Sequence, residues 1–219
     1  WTYDLDGNRR SEKNGAGTGA TTTWAAYDSA DQPTTRTDPS YQAWAQGLGV
    51  RANYTMASTA STPAGYTLTN VGTVPINAAG AWGASSKSAT FTATAGKYLS
   101  APTAAADLTT SSGKLTIAVW VKGAATQTSG AAIVCKGNGG AEQFCLDVTA
   151  NKYRILARNS ASAASTLSST KGPDGAWHHV TAVIESGAGG RGMEIWVDGK
   201  RDAKGAAPTS HLASTHVVS

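Results

Sequence analysis

The run Lys114-Leu115-Thr116-Ile117-Ala118-Val119-Trp120-Val121-Lys122 alternates without a break, with Leu115, Ile117, Val119 and Val121 on one side. A period of two puts successive side chains on opposite faces of a pleated strand, whereas a helix would scatter these four aliphatics around its circumference. The same pattern recurs four times. Phe144, Leu146 and Val148 alternate with Cys145 and Asp147, and Tyr153, Ile155 and Ala157 alternate with Arg154, Leu156 and Arg158. His178, Val180, Ala182 and Ile184 alternate with His179, Thr181, Val183 and Glu185. Met193, Ile195 and Val197 alternate with Glu194, Trp196 and Asp198, and Asp198-Gly199 supplies a hairpin turn into Lys200. Five such runs broken by glycine-rich turns predict an all-β chain, an antiparallel β-sandwich or jelly roll.

The residues that fill such a fold agree. The chain of 219 residues has seven Trp and seven Tyr but two Phe and two Met, and it lacks leucine-rich helical faces. Its length allows one large domain or two small ones. The net charge of +4 is unevenly placed: residues 1–50 carry four basic and six acidic residues, leaving fourteen and eight for the remainder. A boundary near residue 50 is expected. The basic residues are scattered, which argues against a nucleic-acid surface. No apolar run approaches the ~20 residues that span a bilayer. The sequence opens on Trp1 without an apolar leader, and reads as a fragment or processed product of a longer chain.

Cys135 and Cys145 are the two cysteines, and Gly137-Asn138-Gly139-Gly140 lies between them. In a hairpin turning near Gly140 they face each other across the strands. The spacing predicts a cross-strand disulfide and an oxidising compartment, the alternative being two buried thiols.

The N-terminal part contains a repeat. Trp1-Thr2-Tyr3-Asp4-Leu5-Asp6-Gly7-Asn8-Arg9 is echoed by Trp24-Ala25-Ala26-Tyr27-Asp28-Ser29-Ala30-Asp31-Gln32-Pro33-Thr34. Each unit reads as a short strand ending in an aspartate-rich turn. The two units resemble the YD repeats of RHS and wall-associated bacterial proteins, although Asp31 stands where the turn glycine is usual. The resemblance implies the end of a repeat-built β-shell. Residues 51–65 read as a linker after this 1–50 segment, with one helical turn expected near Tyr41 to Gly47. Asn53-Tyr54-Thr55 matches the N-glycosylation triplet, which a threonine-rich chain produces by chance.

From residue 66 to about 208 the order of motifs resembles the bacterial LamG-like, concanavalin A-like jellyroll domain, which is expected to occupy residues 66–219. LTIAVWVK, AAIVCKG, FCLDVTANKYRILA, WHHVTAVIE and MEIWVDGK follow one another as that family's strands do, and Phe91 with Lys97-Tyr98-Leu99 matches its earlier F-x-G-x-x-YL pattern. The family continues past the YVDG hairpin with two more strands. Here the sequence runs to His216-Val217-Val218-Ser219, so an open sandwich edge is expected, filled by a continuation of the polypeptide or by a partner.

Adjacent histidines on a strand point to opposite faces, so His178 and His179 cannot chelate one metal together, and a structural role is expected. Glycoside hydrolysis, the enzyme class this fold suggests, needs two carboxylates across a cleft. Glu194 and Asp198 share a strand face, but Asp198 is the hairpin residue, and no E-x-D-x-E run is present. Serines do not occur as G-x-S-x-G, and the loop from Gly187 to Gly192 joins two strands instead of leading into a helix.

The resemblance implies calcium held by oxygen ligands at the sandwich rim, with no residue assignable to it. For carbohydrate, the candidate aromatic residues are Trp82, Tyr98, Trp120 and Trp196, with Trp177 at a strand start. Arg154 and Arg158 share a face and are candidates for an acidic polymer, together with Lys200, Arg201 and Lys204. The expected function is a non-catalytic binding or adhesion module of a secreted or surface bacterial protein, recognising a glycan or cell-envelope polymer. The alternative is a structural jellyroll that decorates or plugs a shell; a hydrolase stands third.

Overall fold

A computed structural model describes residues 2–3, 9–13, 21–27, 33–37, 52–59, 62–63, 66–92, 96–102, 113–137, 139–187, 189–212, 214 and 216–219. The chain divides into two compact units, Trp1–Thr67 and Leu68–Ser219. Among the described residues there is no helix, and every strand pairing is antiparallel.

In the first unit, β1 (Thr2–Tyr3), β2 (Arg9–Lys13), β3 (Thr21–Tyr27) and β4 (Pro33–Thr37) form one sheet in chain order. Tyr3 and Tyr27, the tyrosines of the two Tyr-Asp pairs, are the last residues of β1 and β3. The aspartate turns that follow them, and the helical turn expected near residue 44, lie outside the described residues. A second small pairing joins β5 (Ala52–Asn53) to β6 (Thr62–Pro63). The side-chain amide nitrogen of Asn53 is buried, which closes the glycosylation triplet to an enzyme acting on the folded chain.

The second unit carries β7 (Thr69–Val71), β8 (Ala78–Gly80), β9 (Gly83–Ser88) and β10 (Tyr98–Ser100), followed by eight further strands. These are β11 (Lys114–Lys122), β12 (Ala131–Lys136), β13 (Phe144–Thr149), β14 (Lys152–Arg158), β15 (Ala164–Ser168), β16 (Trp177–Glu185), β17 (Gly192–Val197) and β18 (Lys200–Gly205). One sheet has the order β11-β16-β17-β18 and another β12-β13-β14-β15, while β7 pairs β10 and β8 pairs β9.

Period-two patterning decides which side of each sheet is dry. Leu146, Val148, Tyr153, Ile155 and Ala157 from one sheet meet Val180, Ala182, Ile184, Met193, Ile195 and Val197 from the other. Leu115, Ile117, Val119 and Val121 pack against the same cluster. The chain is therefore an all-β sandwich, as the alternation predicted. Ile155 and Ile195 are fully buried, and each such side chain contributes about 1.5–3 kcal/mol of transfer free energy.

Turn chemistry sets the register. Asp198 and Gly199 both have positive φ, 52° and 76°, the backbone twist that a two-residue hairpin requires. Cys135 and Cys145 are directly opposed in the β12–β13 ladder and form the predicted disulfide, with Cα atoms 4.0 Å apart.

The last residues also join a sheet. Val218 makes an antiparallel bridge to Lys136, Ser219 exchanges both backbone hydrogen bonds with Cys135, and the Ala101 N–H donates to the Val218 carbonyl at 2.8 Å. Val218 thereby sits between the exit of β10 and the edge of β12, and its side chain packs against the core. It occupies part of the edge that the sequence predicted to be open.

Candidate functional site

The outward face of the β11-β16-β17-β18 sheet combines aromatic and polar side chains. On β11, Trp120 lies between the core-facing Val119 and Val121, so the ladder turns it outward. Its cross-strand partner on β16 is His179. The next row of the same face runs Ala118, Thr181, Trp196 and Arg201.

Trp82, in the turn between β8 and β9, reaches this face. Its ring lies edge-on to Trp120 with centroids 5.0 Å apart and planes at 68°. Trp120 in turn lies 5.2 Å from the His179 ring at 47°. Burial holds the His179 imidazole below the usual histidine range, so it stays neutral at pH 7. Trp82 is 56% exposed and Trp120 38%. Both rings therefore present aromatic surface to solvent beside polar neighbours.

Trp196 is fixed more tightly. Its indole N–H donates to Glu194 Oε2 at 3.0 Å, and the Arg201 guanidinium lies over its ring at 5.9 Å. The other Glu194 oxygen faces Arg201 at 3.5 Å and Lys204 at 3.7 Å. Although burial opposes ionisation of Glu194, these partners hold its carboxyl below the usual range.

The remaining candidates lie elsewhere. Tyr98 is 44% exposed on β10, where it pairs with Val71 of β7. Arg154 and Arg158 project from the other sheet, and each is bonded to a carboxylate. Arg154 forks onto Asp147 with bonds of 3.0 and 2.5 Å, and Arg158 forks onto Glu142 Oε2 at 3.2 and 3.0 Å. The structure thus brings Trp82 and Trp120 together, sets Trp196 on the same sheet face, and places Tyr98 and the two arginines apart. His179 joins the aromatic row unforeseen, although its phase on β16 already put it opposite His178.

His178 takes the core-facing side at the edge of the sandwich. Its Nδ1 lies 2.8 Å from Asp198 Oδ2 and its Nε2 lies 3.0 Å from Asp174 Oδ1. Ionised carboxylates only accept hydrogen bonds, so two such partners require both ring nitrogens to donate, which only the imidazolium does. The bond to Asp198, and then that to Asp174, raise the His178 pKa, while both carboxyls are held low. Asp198 also accepts the His179 backbone N–H at 3.0 Å. The histidine pair and the aspartate-glycine turn are one structural unit, as the strand reading of the pair anticipated.

Among the described residues, no group of three or more His, Cys, Asp or Glu side chains is arranged to hold a metal ion. Asp147, Glu142, Asp174 and Asp198 each face a cationic side chain. No helix among the described residues is long and apolar enough to cross a membrane.

A family model described as the concanavalin A-like lectin/glucanases superfamily matches residues 91–218. That span covers more than half of the chain and takes in every strand from β10 to β18 as well as the Val218 bridge. No curated protein matches the sequence.

Proposed function

The chain belongs to the concanavalin A-like lectin/glucanases superfamily, and on that premise we propose that it is a non-catalytic module that binds a glycan or cell-envelope polymer. The observation that carries the proposal is the exposed Trp82–Trp120 pair, continued by His179, on the outward face of the β11-β16-β17-β18 sheet. Sugar rings present apolar C–H faces, and stacking them on aromatic rings flanked by polar groups is how a protein binds them without large apolar burial.

The superfamily includes enzymes as well as lectins, and the carboxylates favour the lectin side. A glycosidase needs one carboxylic acid kept protonated near neutral pH, with a raised pKa. Glu142, Asp174, Glu194, Asp198 and Asp202 are all displaced downward, each by hydrogen bonds or cationic neighbours. Glu194 and Asp198, which share a strand face, are committed to Trp196 and to the two histidines.

The disulfide supports residence in an oxidising compartment. With the two N-terminal repeat copies it supports a secreted or surface-displayed bacterial protein of the YD-repeat kind. The test is a glycan array probed with the purified chain, in calcium and again in chelator. Saturable binding to one sugar class that survives chelation is the expected result. Silence in both conditions, from protein shown to be folded, overturns the binding reading and leaves a structural jellyroll.

A further inference from the structure

We propose that the outer edge of β15 is an interface for a second copy of this chain, strand β15 docking antiparallel against strand β15 about Thr166.

The edges of the two long sheets differ in what guards them. A bare strand edge offers unpaired backbone groups, which lysines, bulges or a covering segment normally blunt. β11 carries Lys114 and Lys122 at its ends, β18 carries Lys200, Arg201 and Lys204, and β12 is covered in part by Val218 and Ser219. β15 has none of these. The sequence from Ser160 to Thr170 bears no charge and no proline, and the β14–β15 register runs without a bulge.

The phase of the ladder decides which groups this edge presents. The Ser169 N–H donates to the Tyr153 carbonyl at 2.8 Å, and the Asn159 N–H donates to the Ala163 carbonyl at 3.0 Å. Bonded pairs alternate along an antiparallel ladder, so the backbones of Ser165 and Leu167 face β14, while Ala164, Thr166 and Ser168 direct N–H and C=O outward. All three are exposed. The window is closed at both ends. Asp202 takes the Thr170 hydroxyl at 2.7 Å and also its backbone N–H. At the other end, Asn159 Oδ1 accepts the N–H groups of Ala161 and Ala163.

What fits such a window is its own image. A two-fold axis at Thr166 sets the two threonines opposite each other, and Ala164 of one copy opposite Ser168 of the other. Each of these pairs exchanges two backbone hydrogen bonds, and the sheet continues across the axis. The facing side chains are small, and directly opposed threonines hydrogen-bond to each other. A chain of net charge +4 repels its copy where cations meet, and this uncharged edge avoids that cost.

Sedimentation equilibrium of the whole chain from about 1 μM to about 1 mM, with amide hydrogen exchange at both concentrations, tests the pairing. The expected result is a monomer–dimer equilibrium in which the Ala164, Thr166 and Ser168 amides exchange about tenfold more slowly at the high concentration. Thr166→Lys sets two ammonium groups opposite each other and should weaken the dimer about tenfold or more. Thr116→Lys, which adds the same charge at an exposed position on β11, should leave it unchanged. The Tm of each variant at low concentration is the folding control. A monomer throughout the range overturns the proposal. So does a dimer that Thr166→Lys leaves intact, or one whose three amides exchange as fast as they do in the monomer.

Discussion

The carboxylate of Asp198 bonds both members of the histidine pair, taking the His178 ring through Oδ2 at 2.8 Å and the His179 backbone N–H through Oδ1 at 3.0 Å. Asp174 closes the other side of the His178 ring from the loop before β16. One imidazolium thus ties that loop to the β17–β18 turn.

The pH dependence follows from the signs. The His178 pKa is raised, so its contribution is complete below the unfolded value of about 6.5 and disappears as pH rises through the folded value above that. His179 is shifted down, so its contribution is present above about 6.5 and lost as pH falls through its lower folded value. Asn in place of His178 should cost about 1 kcal/mol, or roughly 2–4 °C in Tm, at pH 5.5 and less at pH 8.5. Thermal denaturation of both proteins from pH 5 to 9 measures it. A loss that is the same at all pH values would mean that His178 is not held as the cation.

Tyr153 is fully buried, and its hydroxyl finds no hydrogen-bond partner among the described residues. Burial, with Asp174 and Asp198 nearby, pushes its pKa up to about 12. Removing an unsatisfied buried hydroxyl while keeping the ring relieves a desolvation cost, so Tyr153→Phe should be neutral or stabilising by up to about 1 kcal/mol. Urea denaturation tests this, and a loss of stability would reveal a partner such as an internal water.

Arg154 and Asp147 face each other across β13 and β14. Asp147 is 3% exposed. Arg154→Ala leaves a buried carboxylate without its cation and should cost about 3–5 kcal/mol, whereas Arg154→Met combined with Asp147→Leu should recover most of that. If Arg154 served a ligand instead, stability would hold and only affinity would fall. Denaturation curves and binding isotherms on the same variants separate the two.

The Cys135–Cys145 bridge closes a loop of sequence separation 10. In the chain-entropy account a loop of that size stabilises by about 2–3 kcal/mol, so replacing both cysteines with alanine should lower Tm by several degrees. Both cysteines are buried. Reductant added to the native protein should therefore act slowly and reach the same Tm only after unfolding. Calorimetry with and without reductant, before and after a melt, checks both statements.

How far the sequence could be read depends on whether a feature is local. Alternation alone assigned Leu115, Ile117, Val119 and Val121 to the core side and turned Trp120 outward, because a strand fixes side-chain direction at every second residue. The opposed cysteines and the positive-φ Asp198-Gly199 turn were equally legible, being properties of a hairpin. What stayed hidden depends on partners distant in sequence. Asp198 read only as a turn former, since its second use needs His178 brought beside it, and Asp174 gave no signal because a loop carries it there. Arg154 and Arg158 read as candidates for an acidic polymer because they share a strand face. Their carboxylates emerge only once the β13–β14 register is known. The closeness of Trp82 to Trp120 is hidden for the same reason, since a turn and a strand far apart in sequence supply the two rings.

Val218 and Ser219 lie between Ala101 and Cys135, segments made much earlier in synthesis. A growing polypeptide cannot complete that seam until it has been extended through Ser219, long after the two segments that flank it have been made. Folds dominated by such non-local pairings are slow to form.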